Sequence, residues 1–167
     1  MGLVEKLNGV YWQADEVLAS DVASFIPKNS GLGALVSLPF FTGSMVLGPN
    51  LGEFFPLNFY WYGVAGFDFF SMWQSCMWSV KEQSKRESCR RYSLANQKYR
   101  LSTLLVGTSL AGLCFFDVAR AGFTVPEGLV EKVEFASSFI LLSASQFAKS
   151  SECDAVLERY EKRKALE

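Results

Sequence analysis

Histidine is absent from this 167-residue chain, and its absence narrows the available chemistry. Imidazole is the commonest side-chain base at neutral pH and the commonest transition-metal ligand in proteins. Haem held by a proximal His is therefore excluded, and a serine or cysteine nucleophile would lack its usual base. The chain also has no P-loop, GxSxG, HExxH or GxGxxG motif. We therefore expect a non-enzymatic protein that binds no metal and no catalytic cofactor.

Cysteine is scarce, and its four positions match no known metal-binding pattern. Cys76, Cys89, Cys114 and Cys153 are separated by 13, 25 and 39 residues, whereas zinc and iron-sulfur sites use closely spaced CxxC pairs. Cys76 and Cys114 fall in apolar segments, where a free Cys behaves as a small hydrophobic residue. The spacing predicts isolated thiols and no disulfide framework.

Charge of either sign is missing from long stretches of the chain, although hydrophobic residues make up 50% of it. The formal net charge is −1, which does not provide the basic excess that nucleic-acid binding requires. The charged residues lie in blocks instead of being spread over the sequence as on a globular surface. This distribution predicts a membrane protein that binds no nucleic acid.

Residues 3–26 carry the spacing of an amphipathic helix that ends before Pro27. Its apolar positions recur every three or four residues, at Leu3, Leu7, Val10, Ala14, Val17 or Leu18, Val22 and Phe25. We expect this helix to pack on the rest of the protein through these positions. The alternative is a helix in the membrane interface, but such helices usually carry a face rich in Lys and Arg and this one is acidic.

Four further segments have the length and composition of membrane helices or approach them. They are residues 31–48, 57–80, 101–119 and 133–148. Pro39 is expected to kink the first, Asn96 to mark a turn before the third, and Gly122 with Pro126 to separate the third from the fourth. The last segment is short enough to be a buried or partly inserted helix instead.

The expected fold is all-α, a polytopic membrane helix bundle with about four transmembrane helices. An N-terminal amphipathic helix occupies residues 1–28, the bundle residues 29–149, and a C-terminal polar helix residues 150–167. Ser151-x-x-Asp154 resembles a capping box that would begin this last helix, and Glu158 and Lys162 have the spacing of an ion pair on it.

The distribution of Lys and Arg supports this topology. Four spans place 14 of the 16 cations on one side of the membrane, and only Arg120 and Lys132 on the other. Basic loops resist translocation, so this bias predicts that both termini and the 81–100 segment face the matrix or cytoplasm. A soluble bundle has no reason to alternate its cations from loop to loop.

Small residues recur at spacings that let membrane helices approach closely. Ser44 and Gly48 form one such seam, and Thr103, Gly107 and Ala111 form a second. These positions predict helix packing without naming a partner.

Asp68 lies inside an apolar segment, and Ser71 and Ser75 fall on the same helical face. A proton or ion path is one interpretation of this polar stripe. The favoured interpretation is a buried, hydrogen-bonded acid that fixes helix packing, because transport sites usually recruit several ionisable groups.

The 81–100 segment is strongly basic and adjoins two helix ends. We hypothesise that it binds an anionic phospholipid such as cardiolipin, since several adjacent cations attract such head groups. The alternative is a loop whose charge serves only topology. The candidate ligands are Lys81, Lys85, Arg86, Arg90, Arg91, Lys98 and Arg100.

The leading functional hypothesis is a non-catalytic accessory subunit of a hetero-oligomeric membrane complex, in contact with other membrane subunits and with lipid. Its expected location is the mitochondrial inner membrane, in a respiratory or ATP synthase complex, with both termini in the matrix. One alternative is a small ion or solute transporter lined by the Asp68 stripe. Another is a soluble all-α interaction protein.

Overall fold

The fold is all-helical over residues 3–25, 32–48, 55–76 and 82–165, the part of the chain that the computed structural model describes. The six helices within these ranges are α1 (Leu3–Phe25), α2 (Leu32–Leu47), α3 (Phe55–Cys76), α4 (Glu82–Asn96), α5 (Arg100–Arg120) and α6 (Leu129–Lys164). The hydrophobic periodicity thus predicted α1, α2, α3, α5 and α6 as helices. It did not predict α4, which is a helix in the basic segment that the sequence placed between two helix ends. The helix α2 continues through Pro39.

The turns expected from the sequence are present at two places. The helix α4 ends at Asn96, and residues 97–99 form a turn before α5 begins. The turn between α5 and α6 contains Gly122 and Gly128 at φ values of 66° and 73°. Glycine adopts this left-handed conformation without the steric penalty of a side chain, which explains why the chain reverses here.

The predicted break before a separate C-terminal helix is wrong, because α6 is one continuous helix of 36 residues. Ser151, the proposed cap, lies inside it. No Gly or Pro follows Gly128 in the sequence, so nothing in the chain interrupts the helical hydrogen bonds at that point. The predicted pair of Glu158 and Lys162 is confirmed, with 2.8 Å between Nζ and Oε1.

The helix α6 forms the centre of the fold, and α4 and α5 run antiparallel to it, one after the other. Near one end Ser93 of α4 donates a hydrogen bond to Asp154 of α6 at 2.9 Å. Near the other end Lys132 of α6 contacts Asp117 of α5 at 3.3 Å. Residue numbers therefore rise along α4–α5 as they fall along α6.

The helix α3 runs antiparallel to α4–α5. Tyr60 lies beside Ser102, with 2.9 Å between their hydroxyls, whereas Tyr92 donates to Asp68 at 2.7 Å. The helix α2 in turn runs antiparallel to α3, since Phe41 stacks on Phe69 and Gly48 lies against the ring of Trp61. The helices α2, α3, α5 and α6 thus form an up-down-up-down bundle.

An apolar core fills the end of the bundle where α6 begins. It consists of Phe41, Trp61, Val64, Ala65, Phe135, Phe139 and Leu142. A smaller cluster at the opposite end joins Cys89 and Tyr92 of α4 to Cys153 of α6. Cys89, Cys114 and Cys153 are buried and form no disulfide within the described residues.

The expected orientation of α1 is wrong. Its apolar side chains Leu7, Val10 and Val17 are exposed, whereas Asp15 is fully buried against the bundle. Tyr11 also faces the bundle and donates to the carbonyl of Lys98 at 3.1 Å. Burial raises the pKa of Tyr11, which keeps the phenol protonated as a donor. Polar contacts therefore decide which face of α1 is packed.

One stretch of the described chain, Cys89–Arg120, is long and apolar enough to cross a membrane. It contains α5. Only 22% of its most apolar part is buried within the fold, whereas the core helix of a soluble protein is mostly buried. The apolar stretch in α2 is shorter, Val36–Leu47. The complete helix of 16 residues extends about 24 Å, less than the roughly 30 Å of a bilayer core.

Candidate functional site

Buried polar side chains meet at one level of the bundle, where α4 gives way to α5. Their helices are far apart in sequence, and α6 contributes the largest share. We call this set the polar layer; it consists of Asp15, Asp68, Tyr92, Asn96, Arg100, Ser143, Ser145, Gln146, Lys149 and Ser150, all buried.

The polar layer contains an ion pair between Arg100 and Asp15. Arg100 Nε donates to Asp15 Oδ1 at 2.7 Å and Nη2 donates to Oδ2 at 2.5 Å. This two-point geometry suits the planar guanidinium. The guanidinium also lies 4.9 Å from the ring centre of Phe147, and Ser143 donates to the Arg100 carbonyl at 2.8 Å. The pair joins α1, α5 and α6.

Asp68 accepts two hydrogen bonds inside the bundle. Tyr92 of α4 donates to Oδ1 at 2.7 Å, and Ser145 of α6 donates to Oδ2 at 2.9 Å. Burial, the largest cause, raises the pKa of Tyr92 well above its ordinary value, with a further increase from Asp68, so the phenol remains a donor. Lys149, one turn after Ser145, interacts electrostatically with Asp68. The acid therefore links three helices.

Asn96 completes the layer at the end of α4. Its Nδ2 donates to the Gln146 carbonyl at 2.9 Å and to Ser150 Oγ at 2.7 Å. Within the described residues, Asn96 Oδ1 and both amide atoms of Gln146 have no hydrogen-bond partner. Buried polar groups of this kind usually find a partner outside the chain or in water.

The arrangement favours the structural interpretation of Asp68. Its carboxylate is fully buried and both oxygens accept hydrogen bonds, so the acid holds α3, α4 and α6 together. The side chains of Ser71 and Ser75, which share its face in the sequence pattern, lie outside the described residues. Among the described side chains, no group of three or more His, Cys, Asp or Glu residues is placed to hold a metal ion.

The predicted lipid ligands divide into exposed and buried residues. Arg90, Arg91 and Lys98 are exposed, and Arg91 pairs with Glu87 one turn earlier on α4. Arg100 is buried with Asp15, which removes it from any lipid surface. Lys81 and the side chains of Lys85 and Arg86 lie outside the described residues.

The predicted packing residues lie where helices meet. A Cβ on Gly107 would be 2.8 Å from Ile140 Cγ1 and 2.9 Å from Phe139 Cβ, so α5 and α6 approach closely there. A Cβ on Gly48 would be 2.8 Å from Trp61 Cε2. Ser44 and Thr103 are fully buried, and Ala111 is half-buried.

Sequence reasoning missed Asp15, Tyr92 and Lys149 as members of the polar layer. Asp15 lies among exposed positions of an acidic helix, and Tyr92 lies in the basic segment, so neither stands out locally. Lys149 directly follows the apolar segment 133–148. This position was the one available signal. If the helix continues beyond the apolar segment, the next residues can still lie on its buried face.

The chain matches no protein-family model, no curated protein and no solved structure.

Proposed function

We propose that the protein is a non-catalytic structural subunit of a larger membrane complex, with α2, α3, α5 and α6 spanning the bilayer. The short helix α2 would span it where the bilayer thins locally. The observation that carries this proposal is the apolar outer surface of the bundle. The interior holds the polar layer as well as the apolar core, whereas large apolar side chains face outward on every proposed spanning helix. They include Phe40 and Val46 on α2, Phe59 and Phe70 on α3, Leu105 and Phe116 on α5, and Val130 and Val133 on α6.

An apolar outer surface is costly in water and suited to lipid. Large exposed apolar surfaces mark protein or membrane contacts. Ionisable groups within membrane segments normally face the bundle interior and find partners there. Arg100 pairs with Asp15 in this way, and Asp68 accepts hydrogen bonds from Tyr92 and Ser145. The same distribution disfavours the alternative of a soluble interaction protein.

The directions of the helices agree with the topology that the cations indicate. An up-down-up-down bundle of α2, α3, α5 and α6 leaves α1, α4 and the end of α6 at one pole and the turn at 121–128 at the other. The first pole holds the exposed Arg90, Arg91 and Lys98. Positive charge on the inner side of the membrane therefore supports four spans with both termini on that side.

One face of α3 supports contact with a partner subunit. Gly63 and Gly66 are exposed, and a Cβ at either position would meet nothing within 4 Å. Glycine inside a helix costs about 1 kcal/mol relative to alanine, and this chain gains no packing from either residue. Phe59 and Phe70 share the face. The space left by the absent side chains would let a neighbouring helix approach α3 closely.

The proposed location is the inner mitochondrial membrane, in a respiratory or ATP synthase complex, where small subunits of this architecture are common. The exposed basic side chains at the inner pole are the proposed contact for an anionic phospholipid such as cardiolipin. Fractionation of mitochondria followed by carbonate extraction tests the location. Release of the chain into the carbonate supernatant would overturn the membrane assignment.

Copurification from mild detergent tests the subunit assignment. We expect a stable set of membrane partners with the parent chain and loss of partners in Gly66→Leu, whose new side chain occupies the open face of α3. Gly112→Leu is the matched control, because a Cβ there also meets nothing within 4 Å and α5 is the helix most suited to face lipid. Retention of all partners by Gly66→Leu would contradict the proposed α3 contact. A chain that purifies without partners would contradict the subunit assignment.

A further inference from the structure

A cleft lies between α5 and α6 near the turn that joins them. Its volume is about 190 Å³, and most of its wall is apolar. The lining residues are Leu110, Leu113, Cys114 and Asp117 of α5 with Lys132 and Phe135 of α6. The cleft is separate from the polar layer and lies at the opposite pole from the basic segment.

The polarity of the cleft changes in one direction along both helices. On α5, Asp117 is nearest the turn, and Leu110 lies seven residues further into the bundle, a distance of about 10 Å along the helix axis. On α6, Lys132 is nearest the turn and Phe135 lies deeper. The charged end of the cleft therefore lies at head-group depth if α5 spans the bilayer, and the apolar end points towards its middle.

Charges of both signs stand at the mouth of the cleft. Lys132 Nζ lies 3.3 Å from Asp117 Oδ2, and their side chains are 37% and 44% exposed. The antiparallel register of α5 and α6 brings Lys132 alongside Asp117. Both charged groups are open enough to meet a ligand as well as each other.

We propose that this cleft binds one zwitterionic phospholipid whose head group carries a primary ammonium. Its phosphate contacts Lys132, its ammonium donates to Asp117, and part of one acyl chain lies along Leu110, Leu113 and Phe135. Such a phospholipid carries an ammonium, a phosphate and a hydrocarbon chain in this order. The cleft offers Asp117 to the ammonium, Lys132 to the phosphate and an apolar wall to the chain. An anionic glycerol head group offers no cation to Asp117, and a quaternary ammonium has no N–H to donate.

Cys114 provides a direct readout of occupancy. Its thiol lines the cleft and is buried, so an acyl chain in the cleft should slow its alkylation. The purified full-length chain would be reconstituted in vesicles of phosphatidylcholine alone, or with added phosphatidylethanolamine or phosphatidylglycerol. Alkylation of the Cys114 peptide would be followed by mass spectrometry, and retained lipid by native mass spectrometry.

We expect phosphatidylethanolamine to slow the alkylation of Cys114 several-fold and to remain bound, and phosphatidylglycerol to do neither. Asp117→Asn and Lys132→Gln should each remove this selectivity. Leu113→Trp should abolish lipid retention by filling the cleft without altering a charge. Lys162→Gln is the control, because it breaks an exposed ion pair with Glu158 far from the cleft.

Equal protection by all three lipids, or protection unchanged in Asp117→Asn and Lys132→Gln, would overturn the inference. The inference rests on the proposed membrane location, but the two fail separately. A chain that resists carbonate extraction and shows no head-group selectivity refutes only the cleft. Release by carbonate refutes the membrane location itself.

Discussion

Gly107 offers the sharpest test of how α5 and α6 are held together. A Cβ at this position would lie 2.8 Å from Ile140 Cγ1, 2.9 Å from Phe139 Cβ and 3.0 Å from the backbone nitrogen of Ile140. Carbon atoms in good contact are about 3.5–4.0 Å apart. The Ile140 side chain can rotate, but its backbone nitrogen cannot move without moving α6. Substitution must therefore push the two helices apart.

The expected magnitude comes from two opposing effects. Replacing a helical glycine by alanine in open space should stabilise the helix by about 0.5–1 kcal/mol. Overpacking a close contact costs about 1–3 kcal/mol. Gly112 lies on the same helix with nothing near its Cβ, so Gly112→Ala should show the gain alone. Gly107→Ala should show a net loss, and Gly107→Leu a larger one.

The assay is reversible unfolding of the purified chain in mild detergent, followed by circular dichroism. The difference between Gly107→Ala and Gly112→Ala isolates the packing cost, because the change in helix propensity is the same in both. Equal stability of these two variants would refute the close approach of α5 and α6. A loss of helix in Gly112→Ala would refute the assignment of Gly112 to an open face.

Three further outcomes follow from the buried ion pair, the topology and the basic surface. Asp15→Ala should destabilise the fold by about 3–5 kcal/mol, because it leaves the Arg100 guanidinium buried without a counter-charge, and replacing Arg100 by Met in the same chain should recover part of the loss in thermal unfolding. Impermeant maleimide should reach Glu87→Cys and Thr124→Cys from opposite sides of the membrane; labelling of both from one side would contradict an odd number of spans between them. Arg90→Gln should lower the amount of cardiolipin retained in native mass spectrometry while the circular dichroism spectrum stays the same, and unchanged lipid content would assign this cation to topology alone.

Local sequence patterns were sufficient to predict α1, α2, α3 and α5 and most of their ends. Apolar runs and three-to-four-residue periodicity indicated the helices, and the glycines and proline of the 122–128 turn marked the reversal between α5 and α6. These signals act on the backbone conformation of residues that are close in the chain, so the sequence alone contains them. The capping pattern at Ser151 failed because a cap needs an interruption of the preceding helix, and the chain has none there.

Gly107 was identified as a packing residue because its spacing with Thr103 and Ala111 is a local property. The pattern did not identify its neighbour, since Ile140 lies more than thirty residues away in the chain. The same limit applies to Asp68, whose buried position was predictable from its apolar flanks. Its donors, Tyr92 and Ser145, lie on two other helices.

The face that α1 packs was decided by tertiary structure alone. Its periodicity favours burial of Leu7, Val10 and Val17, yet these side chains are exposed because Asp15 meets Arg100 across 85 positions of the chain. Burying an unpaired guanidinium inside a bundle costs more free energy than exposing a few apolar side chains to water. If α1 lay against lipid, most of the cost of exposing those apolar side chains would also disappear. The sequence by itself therefore determined where most of the helices lie, since helix formation depends on residues close in the chain. The antiparallel register along α6, the polar layer and the outward-facing side of α1 depended on pairs of distant residues, and only the folded chain brings those pairs together.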